Sequence, residues 1–293
     1  MLAILTTTAA RAQNKPDLSP APNETLRWEA TWRRVGYTEY AATGASVAGS
    51  FAIQLLVKSP NTPHWTGPIV FDDAARNGLR LSSRSARDRA GLVSDIMFIS
   101  AVAHPIVVDA IGAAWLGHGS ADVAWQLTVI DSQAYAATML LDTIAKRSFG
   151  RERPYGEPCN QDPDYGPDCT KATRRRSFYS GHSAMTATAA GLTCSHHAHL
   201  PLYGGGWKDT AACVGAIGFT LATGSLRIAS DNHWATDVVT GHLIGFATGL
   251  AMPEVLYYVR DDNQRDSHPS SSRIAVLPSV TERMLGLQAT GWF

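Results

Sequence analysis

The chain has 293 residues, 45% of them hydrophobic and 17% charged, which is enough to bury a large core and excludes a charge-solvated disordered protein. Lys plus Arg and Asp plus Glu number 25 each, so the formal net charge is zero and a nucleic-acid binder held by a global basic field is excluded. At the N-terminus, Ala10-Arg11-Ala12 before Gln13 has the small-x-small form of a signal-peptidase site. Residues 1–12 are therefore expected to be a signal peptide, truncated at its start because it lacks a basic n-region. Residues 13–27, rich in Pro and Asn, read as a leader.

Residues 28–260 then read as one helical domain. Its apolar stretches are Tyr40 to Val57, Ile96 to Leu116, Val123 to Ala145, Ser183 to Cys194, Thr210 to Leu226 and Val238 to Leu256. None alternates with period two, and Pro or Gly separates them, so helices are expected. The polar, Arg-rich connection from Thr62 to Asp88 is expected to hold a short helix over Phe71 to Leu81. Residues 261–293 read as a polar Pro/Ser linker and a tail, in which RIAVLPSV and LGLQATGWF can pair as a hairpin. The fold class is all-α, a bundle of about six core helices with the active site at one end.

The stretches only approach the roughly 20 residues that span a bilayer. They also carry His104, Asp109, Gln126, Asp131 and Gln133 inside them, which favours helices burying one another in water.

Four cysteines accompany this pattern. Cys159 and Cys169 bracket a loop rich in Pro, Gly and Asp, and Cys194 and Cys213 flank a second loop, so loop-local disulfides are the simplest pairing. The rival is a metal site from Cys194, His196, His197 and His199, which crowd too closely for one tetrahedral centre. No metal is expected.

Three segments carry chemistry. Lys146-Arg147-Ser148-Phe149-Gly150-Arg151-Glu152-Arg153-Pro154 ends the third apolar helix, and alone it reads as a solvated basic helix terminus. Arg174-Arg175-Arg176-Ser177-Phe178-Tyr179-Ser180-Gly181-His182 leads into a new helix. There Ser180 and Gly181 offer a hydroxyl and free N–H groups to an anion, although a capped helix with a surface histidine would look the same. In the third segment, Arg227 to Asp237, a cap at Asp231 or Asn232 would put His233 and Asp237 at i and i+4 on one helix face. Asp237 would then fix the His233 tautomer and leave the other ring nitrogen as a nucleophile.

Together, Lys146-x6-Arg153-Pro154, Ser180-Gly181-His182 and Arg227-x5-His233-x3-Asp237 resemble the three-part signature of the superfamily of type 2 phosphatidate phosphatases, class A acid phosphatases and vanadium haloperoxidases. The resemblance runs from about Asp131 to Tyr257, and departs from the usual pattern at Tyr179 and Leu226. It implies metal-free phosphoryl transfer, in which Lys146, Arg153 and Arg227 hold phosphate oxygens with help from Ser180 and Gly181. His233 would attack phosphorus, Asp237 would orient it, and His182 would protonate the leaving group and then activate water. Arg174 to Arg176 could recruit an anionic head group or simply be solvated.

The substrate implied is a phosphate ester, a phospholipid or a polyprenyl phosphate, with a membrane surface or bilayer as its source; vanadate enters only under the haloperoxidase alternative. A catalytically inactive anion- or lipid-binding relative is the other alternative. Relatives with about six spans place three of them before the first motif. After signal cleavage, that arrangement would put the Cys159–Cys169 loop in a reducing compartment. An exported periplasmic bundle is therefore expected, with an inner-membrane protein facing the periplasm as its alternative.

Overall fold

A computed structural model of the chain describes residues 26–162, 168–259, 273–281 and 284–292. The expected signal peptide over residues 1–12 and linker over residues 261–272 lie outside the described residues. The chain divides into two compact units, Met1–Val259 and Arg260–Phe293.

Eight α-helices are described in the first unit: α1 (Tyr37–Leu56), α2 (Asp72–Leu79), α3 (Arg84–His104), α4 (Ala121–Phe149), α5 (Gly156–Gln161), α6 (Gly181–His199), α7 (Trp207–Ala229) and α8 (Ala235–Leu256). Four of the apolar stretches lie wholly in α4, α6, α7 and α8, that of Tyr40 to Val57 runs one residue past α1, that of Ile96 to Leu116 begins in α3, and the short helix expected near Phe71 is α2. Helix α3 runs on through a π-helical segment, Pro105–Gly117, which starts where Pro105 cannot donate an N–H. In the second unit, β1 (Arg273–Thr281) pairs antiparallel with β2 (Met284–Trp292), with Thr281 opposite Met284.

Helix α6 is the hub, packing against α3, α4, α7 and α8. Its residues from Ser183 to His197 are almost all buried, and most are Ala, Thr, Ser or Gly. Small side chains let neighbouring backbones approach, and α8 answers with Gly241, Gly245 and Gly249 at intervals of four. A Cβ on Gly245 would lie 1.9 Å from the Ala184 carbonyl oxygen, and one on Gly249 2.1 Å from that of Thr188. Threonines bind the layers together: Thr138 meets Thr188 at 2.9 Å and Thr186 meets Thr220 at 2.6 Å.

Three segments, Arg84–Gly117, Trp207–Ala229 and Ala235–Leu256, are long and apolar enough to cross a membrane. Their outer faces carry Leu92, Ile99, Val214, Leu243 and Val255, each at least 60% exposed. A water-soluble bundle would not leave so much apolar surface uncovered. This favours an integral membrane topology and corrects the expectation of a periplasmic bundle. The polar groups that suggested water face inward: Asp109 accepts from the Tyr203 hydroxyl at 2.6 Å, and Asp131 pairs with His196 at 2.9 Å.

Both loop-local disulfides, Cys159–Cys169 and Cys194–Cys213, are present. That removes Cys194 as a metal ligand. The three histidines beside it bind carboxylates instead: His196 to Asp131, His197 to Asp209 and His199 to Glu254.

Candidate active site

The first motif is presented by the end of α4. Gly150 closes that helix at φ 54°, and a Cβ there would come within 2.7 Å of Pro60, so a glycine is needed for both reasons. One turn earlier, the Lys146 ammonium is held 2.8 Å from Asp142 on the same helix face. Beyond the helix, Arg153 donates to neutral oxygens, the Thr173 carbonyl at 3.1 Å and Asn232 Oδ1 at 3.3 Å.

The second motif opens α6. Ser180 is its N-cap, accepting from the Ser183 N–H at 3.3 Å and from the Ser183 hydroxyl at 2.9 Å. Gly181 follows, and a Cβ there would lie 2.8 Å from Lys146 Nζ and 3.1 Å from Asp142. Glycine thus leaves room for the ammonium beside the helix N-terminus. His182, in the first turn, bonds through Nε2 to Asp95 of α3 at 2.8 Å.

The third motif joins α7 to α8. Arg227, in the last turn of α7, donates Nη1 to the same Asp95 oxygen at 3.0 Å, and its buried Nε has no hydrogen-bond partner. His233 is 2% exposed. It precedes α8, whose cap is Trp234, so the expected placement of His233 and Asp237 on one helix face does not occur. Asp237 occupies the third position of α8 and accepts from the Trp234 N–H at 3.1 Å. Its Oδ2 lies 3.6 Å from His233 Nδ1, ion-pair range without a hydrogen bond.

All three segments converge on His233. Burial first, and then the positive charges of Arg153, Arg227 and Lys146 and the neighbouring His182, hold its imidazole neutral, well below the usual histidine range. Burial and Arg227 push His182 down to about 4, against the opposing pull of Asp95. A cavity of about 490 Å³ opens over His182, Arg227 and Asn232, bounded by Tyr155 and the Cys159–Cys169 pair. Pre-placed cations and a neutral imidazole suit an attack on an anionic phosphoryl centre. Among the described residues, no group of three or more His, Cys, Asp or Glu side chains could hold a metal ion.

Several contributing residues carried no sequence signal of their own. Arg151 is fully buried, bonded at 2.6 Å to both Asp72 and Asp237 and stacked 4.0 Å from the Trp65 ring centroid. Ser177 donates to Asp237 at 2.5 Å. Asp72, Arg151 and Asp237 belong to different segments, so only folding brings them together; the Asp142–Lys146 spacing alone was readable as an i,i+4 pair. The run Arg174 to Arg176 is half-buried, and each of its side chains bonds within the protein. Arg174 binds Glu152 at 2.5 Å, Arg175 the Pro60 carbonyl at 2.6 Å and Arg176 the Ser59 hydroxyl at 2.5 Å.

Comparison with known proteins agrees with this geometry. Residues 132–261 match the PAP2 superfamily profile. A lipid A 1-phosphatase of Porphyromonas gingivalis is 30% identical over 153 residues, 51% of this chain. The chain spans 28% of that relative's length. No solved structure matches the chain. The helical stretch that carries the His, Asp and Arg side chains of the three motifs, residues 132–261, is therefore similar to the PAP2 superfamily.

Proposed function

We propose that the protein is a metal-independent phosphatase that hydrolyses phosphate monoesters or lipid (pyro)phosphates through a phosphohistidine at His233. The observation that carries this reading is the buried His233 imidazole, which burial and the positive charges of Arg153, Arg227 and Lys146 hold below the usual histidine range. The three cations and the Ser180–Gly181 helix start bind the phosphoryl oxygens, lowering the cost of the charge that spreads over them in the transition state. His233 attacks phosphorus. The bound phosphoryl group offsets the positive charge that pushes His182 down, so that it takes up the proton it gives the leaving oxygen, and it later takes one from water.

Asp237 supports His233 electrostatically from 3.6 Å, while Arg151, Ser177 and the Trp234 N–H hold that carboxylate still. A membrane-borne substrate is supported by the three membrane-length helices and by the phosphatase name of the lipid A relative. The catalytic end faces the extracytoplasmic side, where the Cys159–Cys169 bond persists.

A second reading, an anion- or lipid-binding relative without turnover, draws on the carboxylates inside the cradle: Asp95 occupies His182 and Arg227, and Asp142 occupies Lys146. Phosphate release from a panel of lipid and soluble esters tests the proposal. Release inhibited by vanadate, insensitive to EDTA and unaccompanied by halide oxidation is expected. Phosphate binding without release from any ester would favour the second reading.

A further inference from the structure

Asp95 lies in none of the three motifs, yet one of its oxygens is shared by two of their side chains. Oδ1 accepts from His182 Nε2 at 2.8 Å and from Arg227 Nη1 at 3.0 Å. The two donors differ from Asp95 in exposure. The Arg227 side chain is 7% exposed and that of His182 27%, whereas that of Asp95 is 54% exposed and borders the 490 Å³ cavity. The donors are therefore held by packing, while the carboxylate has the cavity into which it can swing.

We infer that Asp95 is a built-in competitor for the phosphoryl group: its Oδ1 sits where the phosphoester oxygen addressed by His182 and Arg227 would lie, and a bound phosphate must displace it. This rests on the phosphatase reading of the site. An oxygen within about 3 Å of both a guanidinium and the leaving-group acid is in the position expected of the bridging ester oxygen.

The carboxylate is also an incomplete partner. It leaves Arg227 Nε buried and unbonded, whereas a phosphoryl group brings three oxygens and can meet a guanidinium through two of its donors. The exchange therefore favours phosphate, by less than it would if Asp95 were neutral. Asp95 thus lowers affinity for the phosphate product and speeds the return of the site, and it selects for substrates whose leaving groups add contacts of their own.

The test uses the full chain in detergent micelles, with inorganic phosphate as the probe in calorimetric titrations and a phosphate ester in turnover assays. Asp95→Asn is expected to bind phosphate at least tenfold more tightly, a change of 1.4 kcal/mol. KM should fall with it, and Asp95→Glu, which keeps the charge, should not tighten binding. Asp95→Ala answers the same question if the Asn variant does not fold. Were Asp95 only to position His182, its removal would lower kcat and leave phosphate affinity unchanged, and that result overturns the inference. Binding by the parent chain that neither neutral variant tightens overturns the inference alone. Absence of phosphate binding in the parent and in both neutral variants overturns the phosphate site and the inference together.

Discussion

Arg151 and Arg153 are two residues apart in the first basic segment, yet they should fail in opposite ways when replaced by Met. Arg151 is fully buried and shared between the Asp72 and Asp237 carboxylates, themselves fully buried. Removing one partner of a buried ion pair costs about 3–5 kcal/mol, because an uncompensated charge stays behind. Here two carboxylates are stranded, but each retains neutral donors: Asp72 keeps the Ile69 and Thr236 N–H groups, and Asp237 keeps Ser177 and the Trp234 N–H. Those bonds carry part of the charge, which places the cost of Arg151→Met near the lower end, about 3 kcal/mol. At about 2–4 °C per kcal/mol for a domain of this size, the melting temperature in detergent should fall by roughly 6–12 °C. Arg153→Met breaks bonds to neutral acceptors only and should change stability by less than about 1 kcal/mol while removing most turnover. Thermal melts of both variants beside the parent chain, with phosphate-release rates at a temperature where all are folded, make the comparison. An Arg151→Met chain as stable as the parent, or an Arg153→Met chain that melts as early as Arg151→Met, would refute the reasoning.

His233→Ala should lose several orders of magnitude in phosphate release with its melting temperature nearly unchanged, and parent-like activity would remove the nucleophile assignment. Gly245→Val should prevent α6 and α8 from closing, since the added Cβ would lie 1.9 Å from the Ala184 carbonyl oxygen; loss of folded protein on size-exclusion in detergent is expected. Acidification should destabilise the chain between about pH 6.5 and 4, read as a fall in melting temperature. The unfolded histidines take up protons in that window, whereas folded His182 (pushed to about 4) and His233 (held lower than usual) resist them. Inorganic phosphate should restore part of the loss by favouring their charged forms. Reducing Cys159–Cys169 should cost about 3 kcal/mol in the chain-entropy picture and raise KM before kcat falls, measured by turnover with and without a membrane-permeant thiol.

Much of this protein was determined locally, and that part was readable from sequence alone. Helix positions follow from apolar runs broken by Gly and Pro; Ser180 caps α6 because a short hydroxyl is placed to take an N–H of the first turn; and both disulfides close the nearest loops. Other features were settled only by the tertiary structure. Hydropathy averaged along the chain mixes the inward Asp109 and Asp131 with the outward Leu92 and Leu243, so which environment each face meets depends on how the helices turn toward one another. Spacing suggested a helical His233–Asp237 pair, but the buried Trp234 became the cap and left His233 outside the helix. The Asp95 bridge closes across 87 residues to His182 and 132 to Arg227, and the Arg151 network across 79 to Asp72 and 86 to Asp237. No periodicity encodes such contacts, because they are made between helices whose relative rotation is set by the packing of α6 against its neighbours.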